Sequence, residues 1–254
     1  MLKKILFIGT TLLLTSYVHA ESGCEKDKSQ WVLTPKTTSY FCFTDYNLSY
    51  STVNELPLQV SYWLSPTQKQ SSNPFNLVIN SDKFVPSTFN REEAAHKTGF
   101  DFVALAPIAL TKINRHERYY DLNRVPVDKT QNRDGGAWFE LNKLEVEKLL
   151  KIGRLLVING VVTVKNDYKP THLYKILYQP EINMAAAFLV PNDSENHTIT
   201  STITSISCIE QKLGYPLLGT ETLIPESLKQ KVAYSKNVWA DVGAKSYQCE
   251  AGTI

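Results

Sequence analysis

The sequence predicts an α+β domain in which strands pack around a central sheet and one long helix lies on one side of it. Three apolar runs separated by turn residues, LLVINGVVTV, HLYKILYQ and MAAAFLVPN, are typical of consecutive buried strands. The block AWFELNKLEVEKLLKIGR places Trp138, Leu141 and Leu144 on one helical face and carries Gly153 near its end. The stretch LPLQVSYWL alternates well enough to predict a further strand, which ends at Leu64.

Shorter elements connect these strands and the helix. The polar stretch SPTQKQSSNP, residues 65–74, predicts a surface loop. The stretch KTGFDFVALAPIAL, residues 97–110, predicts a tight turn followed by a strand of small apolar residues. Residues 113–122 fit a short helix, and SISCIEQKLGYPLL, residues 205–218, predicts another helix that ends at Gly214.

The first 20 residues, MLKKILFIGTTLLLTSYVHA, have the features of a secretory signal peptide: two lysines, an apolar run and a small residue at Ala20. The apolar run is shorter than the roughly 20 residues that span a bilayer, and no later segment approaches that length. We therefore expect cleavage after Ala20, a secreted or periplasmic location and no membrane anchor. Residues 21–254 are then predicted to form a single domain, which is long enough for an ample core.

The predicted cleavage leaves the charges balanced. The chain has 27 Lys and Arg against 25 Asp and Glu, and loss of Lys3 and Lys4 leaves 25 of each. A protein that holds nucleic acid mainly by neutralising phosphates is usually basic, at least in a patch. Two local groups of basic residues could form either such a patch or a solvated face. They are Lys143, Lys148, Lys151 and Arg154, and Arg115, Arg118, Arg124 and Arg133.

Four cysteines, Cys24, Cys42, Cys208 and Cys249, remain after the predicted cleavage. An oxidising compartment favours disulfides, and four cysteines allow three connectivities. The residues fall into two widely separated pairs, so Cys24 with Cys42 and Cys208 with Cys249 is the simplest connectivity. Each bridge would stabilise the fold by on the order of 3 kcal/mol. No cysteine or histidine spacing indicates a zinc site.

Seven motifs follow one another between about Tyr50 and Leu218. They are TGFDFVALAP, NRVP, QNRDGGAW, LLVING, KPTHLYK, AAFLVPN and CIEQKLGYPLL. In this order and spacing the chain resembles the DNA/RNA non-specific endonuclease family. The resemblance implies the ββα-metal (His-Me finger) fold, an α+β arrangement with a central, mainly antiparallel sheet flanked by helices. The C-terminal cysteine pair also resembles the disulfide of some secreted members.

The resemblance also indicates where the family's chemistry would lie. Members read DRGH in the first motif: the histidine activates water, the arginine stabilises the phosphorane, and Mg²⁺ held by an asparagine and waters stabilises the developing charge. Here the tetrapeptide is Asp101, Phe102, Val103 and Ala104, which keeps only the aspartate. Loss of a general base costs typically ~10²–10⁴-fold in rate. Residues 65–90 also lack the family's upstream arginine that contacts phosphate.

The metal position is open to two interpretations. Asn132 stands near the family's ligand asparagine, but it is two residues farther from Trp138 than the pattern requires, and Asp134 falls at that spacing. Either the loop bulges and Asn132 faces the metal, or Asp134 does so. A third interpretation is a turn at the entry to the helix, where Asp and Asn are common. The family's glutamate falls at Asn142.

Other histidines could replace the lost base. His96 and His116 are close enough in sequence to the altered tetrapeptide to be candidate substitutes. His172 matches a family position on a strand of the sheet, so we expect a structural role for it.

Two hypotheses follow. The first is a secreted protein with a nuclease fold that is catalytically inactive and binds an unknown protein, a surface ligand or nucleic acid, with no cofactor. In it, Phe102 and Val103 are expected to fill the former cleft. The second is an active, Mg²⁺-dependent non-specific DNA/RNA endonuclease with a rearranged site. The losses in the tetrapeptide favour the first.

Overall fold

The computed structural model describes residues 38–42, 46–66, 99–106, 121–144, 151–217, 224–230, 232–234 and 240–241. Several predictions made from sequence lie outside these residues: the signal peptide with its cleavage site, Cys24, Cys249, His96 and His116. The loop predicted at 65–74 and the helix predicted at 113–122 also lie mostly outside them. Within the described ranges, no helix is long and apolar enough to cross a membrane.

Strands dominate the described part of the chain. In chain order they are β1 (Thr38–Cys42), β2 (Tyr46–Ser51), β3 (Leu56–Leu64), β4 (Phe100–Ala104), β5 (Arg124–Asp128), β6 (Leu155–Val162), β7 (His172–Gln179), β8 (Met184–Pro191), β9 (Ile203–Thr204), β10 (Ala233–Tyr234) and β11 (Ala240–Asp241). Seven of them form one antiparallel sheet in the order β1-β2-β3-β6-β7-β8-β9. The strands β4 and β5 form a separate antiparallel ribbon, as do β10 and β11.

The helices are short. They are α1 (Lys129–Asn132), α2 (Ala137–Leu144), α3 (Ile199–Thr202), α4 (Ile206–Leu213) and α5 (Glu226–Lys229), with 3₁₀ turns at Asp121–Asn123 and Pro180–Ile182. Ser205 caps α4 by accepting a hydrogen bond from the Cys208 backbone N–H at 3.1 Å, and the left-handed Gly214 ends it. The helix predicted to end at Gly214 is thus confirmed, and so is the start of the long helix, up to Leu144.

The central sheet is covered on both faces. One face of β6, β7 and β8 packs with the β4–β5 ribbon and with Trp138 and Leu141 of α2. The other face packs with Ile206 and Ile209 of α4 and with Leu228 of α5. A sheet buried on both faces requires strands without polar alternation, which explains the continuous apolar runs of β6 to β8. The predicted α+β arrangement, the three consecutive buried strands and the strand ending at Leu64 are confirmed.

The ribbon and the first two helices form a unit inserted between neighbouring strands. This ribbon–helix unit, residues 99–144 where described, lies in the chain between β3 and β6, which pair with each other in the sheet. Its turn into β4 is made at Gly99, whose φ of +80° suits glycine. A side chain at Gly136 would collide with the backbone of Thr130 and Gln131, so the close approach of α1 and α2 requires glycine there.

Cys208 is buried near the start of α4 and is disulfide-bonded. Its partner is not among the side chains that the structure describes. The connectivity of Cys24 with Cys42 and of Cys208 with Cys249 therefore stays a prediction.

Candidate functional site

Three side chains meet where the ribbon faces the end of α1. Asp101 lies in β4, and the Asn132 amide nitrogen donates to its carboxylate at 3.0 Å. The Arg133 guanidinium approaches the same carboxylate at 3.4 and 3.5 Å. The short helix places Asn132 there because Asp128 caps it, accepting from the Thr130 backbone N–H at 2.9 Å.

The loop after α1 distinguishes the two residues proposed for the metal position. Asn132 reaches Asp101, whereas Asp134 is exposed in the following turn and makes no side-chain hydrogen bond among the described residues. Gly135, at a φ of +89°, and Gly136 complete this turn before α2 begins. The fold thus brings Asn132, and not Asp134, into contact with Asp101 of the altered tetrapeptide. Which of the two would face a metal ion stays a prediction.

At the position of the family's general base, the chain offers a methyl group. Ala104 ends β4, and its cross-strand partner is Arg124, the first residue of β5. The Arg124 guanidinium bonds back to the Phe102 carbonyl oxygen at 3.4 Å. A guanidinium stays protonated at all physiological pH values and cannot accept a proton from water. Neither residue of this pair can therefore act as a general base.

The two apolar residues of the altered tetrapeptide point to opposite faces of the ribbon, as neighbours in a strand do. Val103 packs against the main core. Phe102 lines a surface pocket of about 200 Å³ together with Pro126, its cross-strand partner. The expectation that both residues fill a former catalytic cleft stays a prediction.

A buried cation contacts Asn142, the residue at the position of the family's glutamate. Lys175 of β7 is fully buried, and its ammonium donates to the Asn142 side-chain amide oxygen at 3.0 Å. The same ammonium lies 5.3 Å from the centre of the Trp138 ring. A buried lysine needs such polar and aromatic partners to offset its desolvation. Asn142 thus contacts a protein cation where the family has a carboxylate.

These contacts bear on whether a divalent cation fits. Asn132 offers one amide oxygen, the ligand type that Mg²⁺ accepts. The Arg133 guanidinium, which pairs with Asp101, places a positive charge near that oxygen and opposes a divalent cation there. Among the described residues, no three acidic, histidine or cysteine side chains gather into a metal cluster, but a site made of one asparagine and waters does not need such a cluster. The described residues therefore supply one candidate ligand for Mg²⁺, Asn132, with an unfavourable charge beside it.

Three buried asparagines hold the ribbon in place. The Asn123 side chain bonds to both the N–H and the carbonyl of Ala106, at 2.9 and 3.1 Å. Asn159 of β6 donates to the Leu105 carbonyl at 2.6 Å. Asn192, after β8, donates to the carbonyls of Pro126 and Pro170 and accepts from the Asp128 N–H at 2.8 Å.

The motifs NRVP, LLVING and AAFLVPN contain these asparagines, but the sequence alone predicted no role for the three residues. All three are buried; Asn123 and Asn192 flank a strand, whereas Asn159 lies inside β6. A polar residue within or next to an apolar run is the signal that could have found them, because a buried amide is normally hydrogen-bonded.

The described histidines are not placed to act at this site. Burial, with the nearby Lys212, lowers the pKa of His172 to about 4, and its ring bonds Thr171 at 3.1 Å. His197 bonds the Asp193 carboxylate at 2.8 Å. The basic residues are partly brought together: Arg124 and Arg133 both lie on the ribbon–helix unit. Arg154 is instead engaged by Glu181 at 3.3 Å and by the Trp63 ring.

Comparison with known proteins agrees with the architecture. No curated protein sequence matches the chain. A chain in the crystal structure of the EndoG/EndoGI complex, solved to explain the mechanism of EndoG inhibition, superposes with a TM-score of 0.60. The match has 20% identity and covers 74% of this chain and 88% of that chain. It confirms the predicted ββα-metal fold class.

The sequence itself matches the family model described as DNA/RNA non-specific endonuclease over residues 32–218. That span includes the ribbon, both helices of the candidate site and every strand of the central sheet. The chain therefore belongs to the DNA/RNA non-specific endonuclease family.

Proposed function

We propose that the protein is an exported, catalytically inactive member of this family that acts by binding a partner. The observation that carries the proposal is Ala104 at the general-base position, with Arg124 as its cross-strand neighbour. A methyl group beside a guanidinium cannot take a proton from water. Two further positions differ from the family pattern, because Phe102 stands in place of its arginine and Asn142 in place of its glutamate.

A protein or a surface ligand is the favoured class of partner. The balanced charge of residues 21–254 gives little general attraction for polyphosphate. The similar solved structure is that of the EndoG/EndoGI complex, which concerns inhibition of EndoG. By analogy, a protein partner is the first class to test. Nucleic acid remains the second, through Arg124 and Arg133 on the ribbon–helix unit.

One observation favours the alternative, an active Mg²⁺-dependent endonuclease with a rearranged site. The Asn132 side-chain nitrogen donates to Asp101, and no described residue donates to the side-chain oxygen of Asn132. That oxygen is therefore a candidate metal ligand. A general base would then have to come from His96 or His116, which lie outside the described residues. The charge of Arg133 beside Asp101 opposes this alternative.

The deciding experiment is digestion of plasmid DNA and RNA with Mg²⁺ or Mn²⁺ and with EDTA. We expect no metal-dependent cleavage by the wild-type protein and none by Ala104→His alone, because the phosphate contact and the acidic metal-side residue are also absent. The triple variant Ala104→His, Phe102→Arg, Asn142→Glu should gain cleavage. The matched triple variant with Ala104→Gln should not, because it lacks only the base.

Metal-dependent cleavage by the wild-type protein that is lost on His96→Ala or His116→Ala would overturn the proposal in favour of the alternative. A gel shift at several salt concentrations then decides whether nucleic acid is a ligand, since binding through phosphates weakens steeply with salt. Export is tested by N-terminal sequencing of the purified protein, for which we expect Glu21 as the first residue.

A further inference from the structure

The sequence contains two places where an aspartate or asparagine is followed directly by glycine. They are Asp134-Gly135, in the turn between α1 and α2, and Asn159-Gly160, inside β6. At such a pair the glycine backbone nitrogen can attack the side-chain carbonyl carbon of the preceding residue, because no Cβ obstructs the approach. At neutral pH the asparagine pair is intrinsically the faster one. The surroundings of the two pairs predict the opposite order in the folded protein.

The Asn159-Gly160 pair is held on all sides. Asn159 is fully buried, and its side-chain nitrogen donates to the Tyr62 hydroxyl at 3.1 Å and to the Leu105 carbonyl at 2.6 Å. Both residues pair with β3 and β7 in the middle of the sheet. A Cβ on Gly160 would collide with the Tyr174 ring. The peptide unit between Asn159 and Gly160 therefore cannot rotate unless the sheet opens.

The Asp134-Gly135 pair lies in open surroundings. Residues 133–135 are all exposed, and Asp134 makes no side-chain hydrogen bond among the described residues. Within the described ranges, the Gly135 N–H also has no hydrogen-bond partner. Apart from its chain neighbours, no described atom lies within 4 Å of the place that a Cβ of Gly135 would occupy. Neither the attacking nitrogen nor the carboxyl group is therefore engaged elsewhere.

One hydrogen bond closes the turn that carries this pair. The Gly136 N–H donates to the Arg133 carbonyl at 2.8 Å, and Gly135 has a φ of +89°. These values fit a type II turn, in which glycine is preferred at the third position. Attack requires rotation about the bond between Cα and the carbonyl carbon of Asp134. In an exposed turn, this rotation disrupts that hydrogen bond and no buried contact of Asp134 or Gly135.

We propose that Asp134 is a site of isoaspartate formation in the folded protein, and that this modification alters the contacts of Asn132 and Arg133 with Asp101. The inference is independent of the function proposed above, since it concerns the chemistry of a loop and neither binding nor cleavage. Its test can therefore fail while that proposal stands, and the reverse is also true.

The reaction needs only the protein and water. The Gly135 nitrogen bonds to Cγ of the protonated Asp134 side chain, the Cγ–O bond breaks, and the hydroxyl leaves with the amide proton as water. The product is a five-membered succinimide. Addition of water at the side-chain carbonyl restores aspartate. Addition at the main-chain carbonyl breaks the former peptide bond and gives isoaspartate, which has an unchanged mass, a free α-carboxylate and a chain that runs through Cβ and Cγ.

Isoaspartate places one additional atom in the main chain between α1 and α2. The α2 side of the turn has little room for it, because Gly136 already lies against the backbone of α1. The change must then be taken up on the other side, at Arg133 and Asn132, whose side chains contact Asp101. Isomerisation of Asp134 is therefore expected to rearrange the candidate site and to leave the central sheet unchanged.

The test follows both pairs in one sample. The purified protein is kept for weeks at neutral pH, either folded or unfolded in guanidinium chloride, and is then digested after lysine. The digestion releases residues 130–143, which contain Asp134, and residues 152–165, which contain Asn159. Isoaspartate in each peptide is measured by its separate elution and by enzymatic methylation of the free α-carboxylate with labelled S-adenosylmethionine. Protein digested without ageing is the control for the procedure.

In the folded protein we expect isoaspartate at Asp134 and not at Asn159. In guanidinium chloride the order should reverse, because only the local sequence then matters. The reaction at Asn159 should be at least roughly a hundredfold slower in the folded protein than in the unfolded one, since it requires opening of the sheet. The reaction at Asp134 should differ by less than about tenfold between the two conditions.

Two variants assign the chemistry. Asp134→Glu keeps the charge but would have to close a six-membered ring, so it should abolish the product at this position. Asp134→Asn uses the same five-membered ring and loses ammonia instead of water, so it should react faster and change the mass of the peptide. In NMR spectra, the Asn132 side-chain amide should shift on ageing of the wild type and not of Asp134→Glu. Resonances of β6 to β8 should not shift in either protein.

Three outcomes would overturn the inference. The first is the absence of isoaspartate from residues 130–143 of the aged, folded protein. The second is an equal or faster reaction at Asn159 in the folded protein, which would mean that the structure does not set the order. The third is an Asn132 side-chain amide that is the same in aged wild type and aged Asp134→Glu, which would separate the modification from the candidate site.

Discussion

The ribbon–helix unit has two regions whose polar groups are paired differently. We call them the base, where Asn123, Asn159 and Asn192 anchor the unit, and the site face, which carries Asp101, Asn132 and Arg133. At the base, the amides of Asn123, Asn159 and Asn192 are buried and bond to backbone groups of the ribbon at 2.6 to 3.1 Å. On the site face, Asp101 meets Arg133 at 3.4 Å across a largely exposed contact. Each amide of the base bonds the ribbon–helix unit, although the Asn159 side-chain oxygen has no partner among the described residues. On the site face, Phe102 and Ala104 stand where the family pattern has an arginine and a histidine. The residues that anchor the unit are therefore different from those that the family uses for catalysis.

The largest expected effect on stability comes from a substitution in the base. Asn192→Ala removes three hydrogen bonds and leaves the Pro126 carbonyl, the Pro170 carbonyl and the Asp128 N–H without this partner. Each unsatisfied buried group costs about 1–3 kcal/mol, so we expect the free energy of unfolding to fall by about 3 kcal/mol or more. Urea denaturation followed by circular dichroism measures it.

The matched control for that variant is Asn196→Ala, an exposed asparagine that makes no side-chain hydrogen bond among the described residues and whose φ is not positive. It should change the free energy of unfolding by less than about 0.5 kcal/mol. A similar loss in both variants would show that the buried amide does not anchor the ribbon.

The base also shows why the sequence predicts the fold better than the site. Buried strands leave continuous apolar runs, and Ser205 and Gly214 mark the ends of α4, so these elements are readable locally. The contacts of the site are not local. Lys175 meets Asn142 33 residues away, and Asn192 meets Asp128 64 residues away.

The sequence also could not decide between Asn132 and Asp134, again because the decision depends on a tertiary contact. The two residues are two positions apart in one loop, and either is a normal residue before a helix. Their positions depend on the close approach of α1 and α2 at Gly136, a tertiary contact. The absence of a histidine from the tetrapeptide at Asp101 to Ala104, in contrast, is visible in the sequence itself.

An intermediate effect is expected at His172, which lies at the start of β7 near the Asn192 anchor. Its pKa falls from the ordinary 6.5 to about 4 in the folded protein because of burial and Lys212. The unfolded chain therefore binds a proton between these pH values and the folded protein does not. The associated stability is fully present above pH 6.5 and is lost as the pH falls towards 4.

We expect this loss to be roughly 1–2 kcal/mol, because His172 is partly exposed and solvent screens its interactions. His172→Gln should remove that part of the pH dependence when urea denaturation is compared at pH 7.5 and pH 4.5. His197→Gln is the matched control and should retain most of it, because His197 is the smallest of the four causes that shift the pKa of His172. An unchanged pH dependence in His172→Gln would refute the assignment to His172.

The smallest effect is expected on the site face, at Asp101→Asn. The Arg133 and Asp101 side chains are 63% and 27% exposed, and their contacts of 3.4 and 3.5 Å are long for charged groups. Exposed ion pairs contribute about 0 to 1 kcal/mol, so the free energy of unfolding should fall by less than about 1 kcal/mol. Arg133→Gln removes the other partner and should give the same small change.

A loss above roughly 2 kcal/mol, measured as for Asn192→Ala, would make Asp101 a structural anchor and erase the difference between base and site face. A small loss would mean that the fold does not need Asp101 for its stability, so a role of Asp101 in binding would be the next one to test.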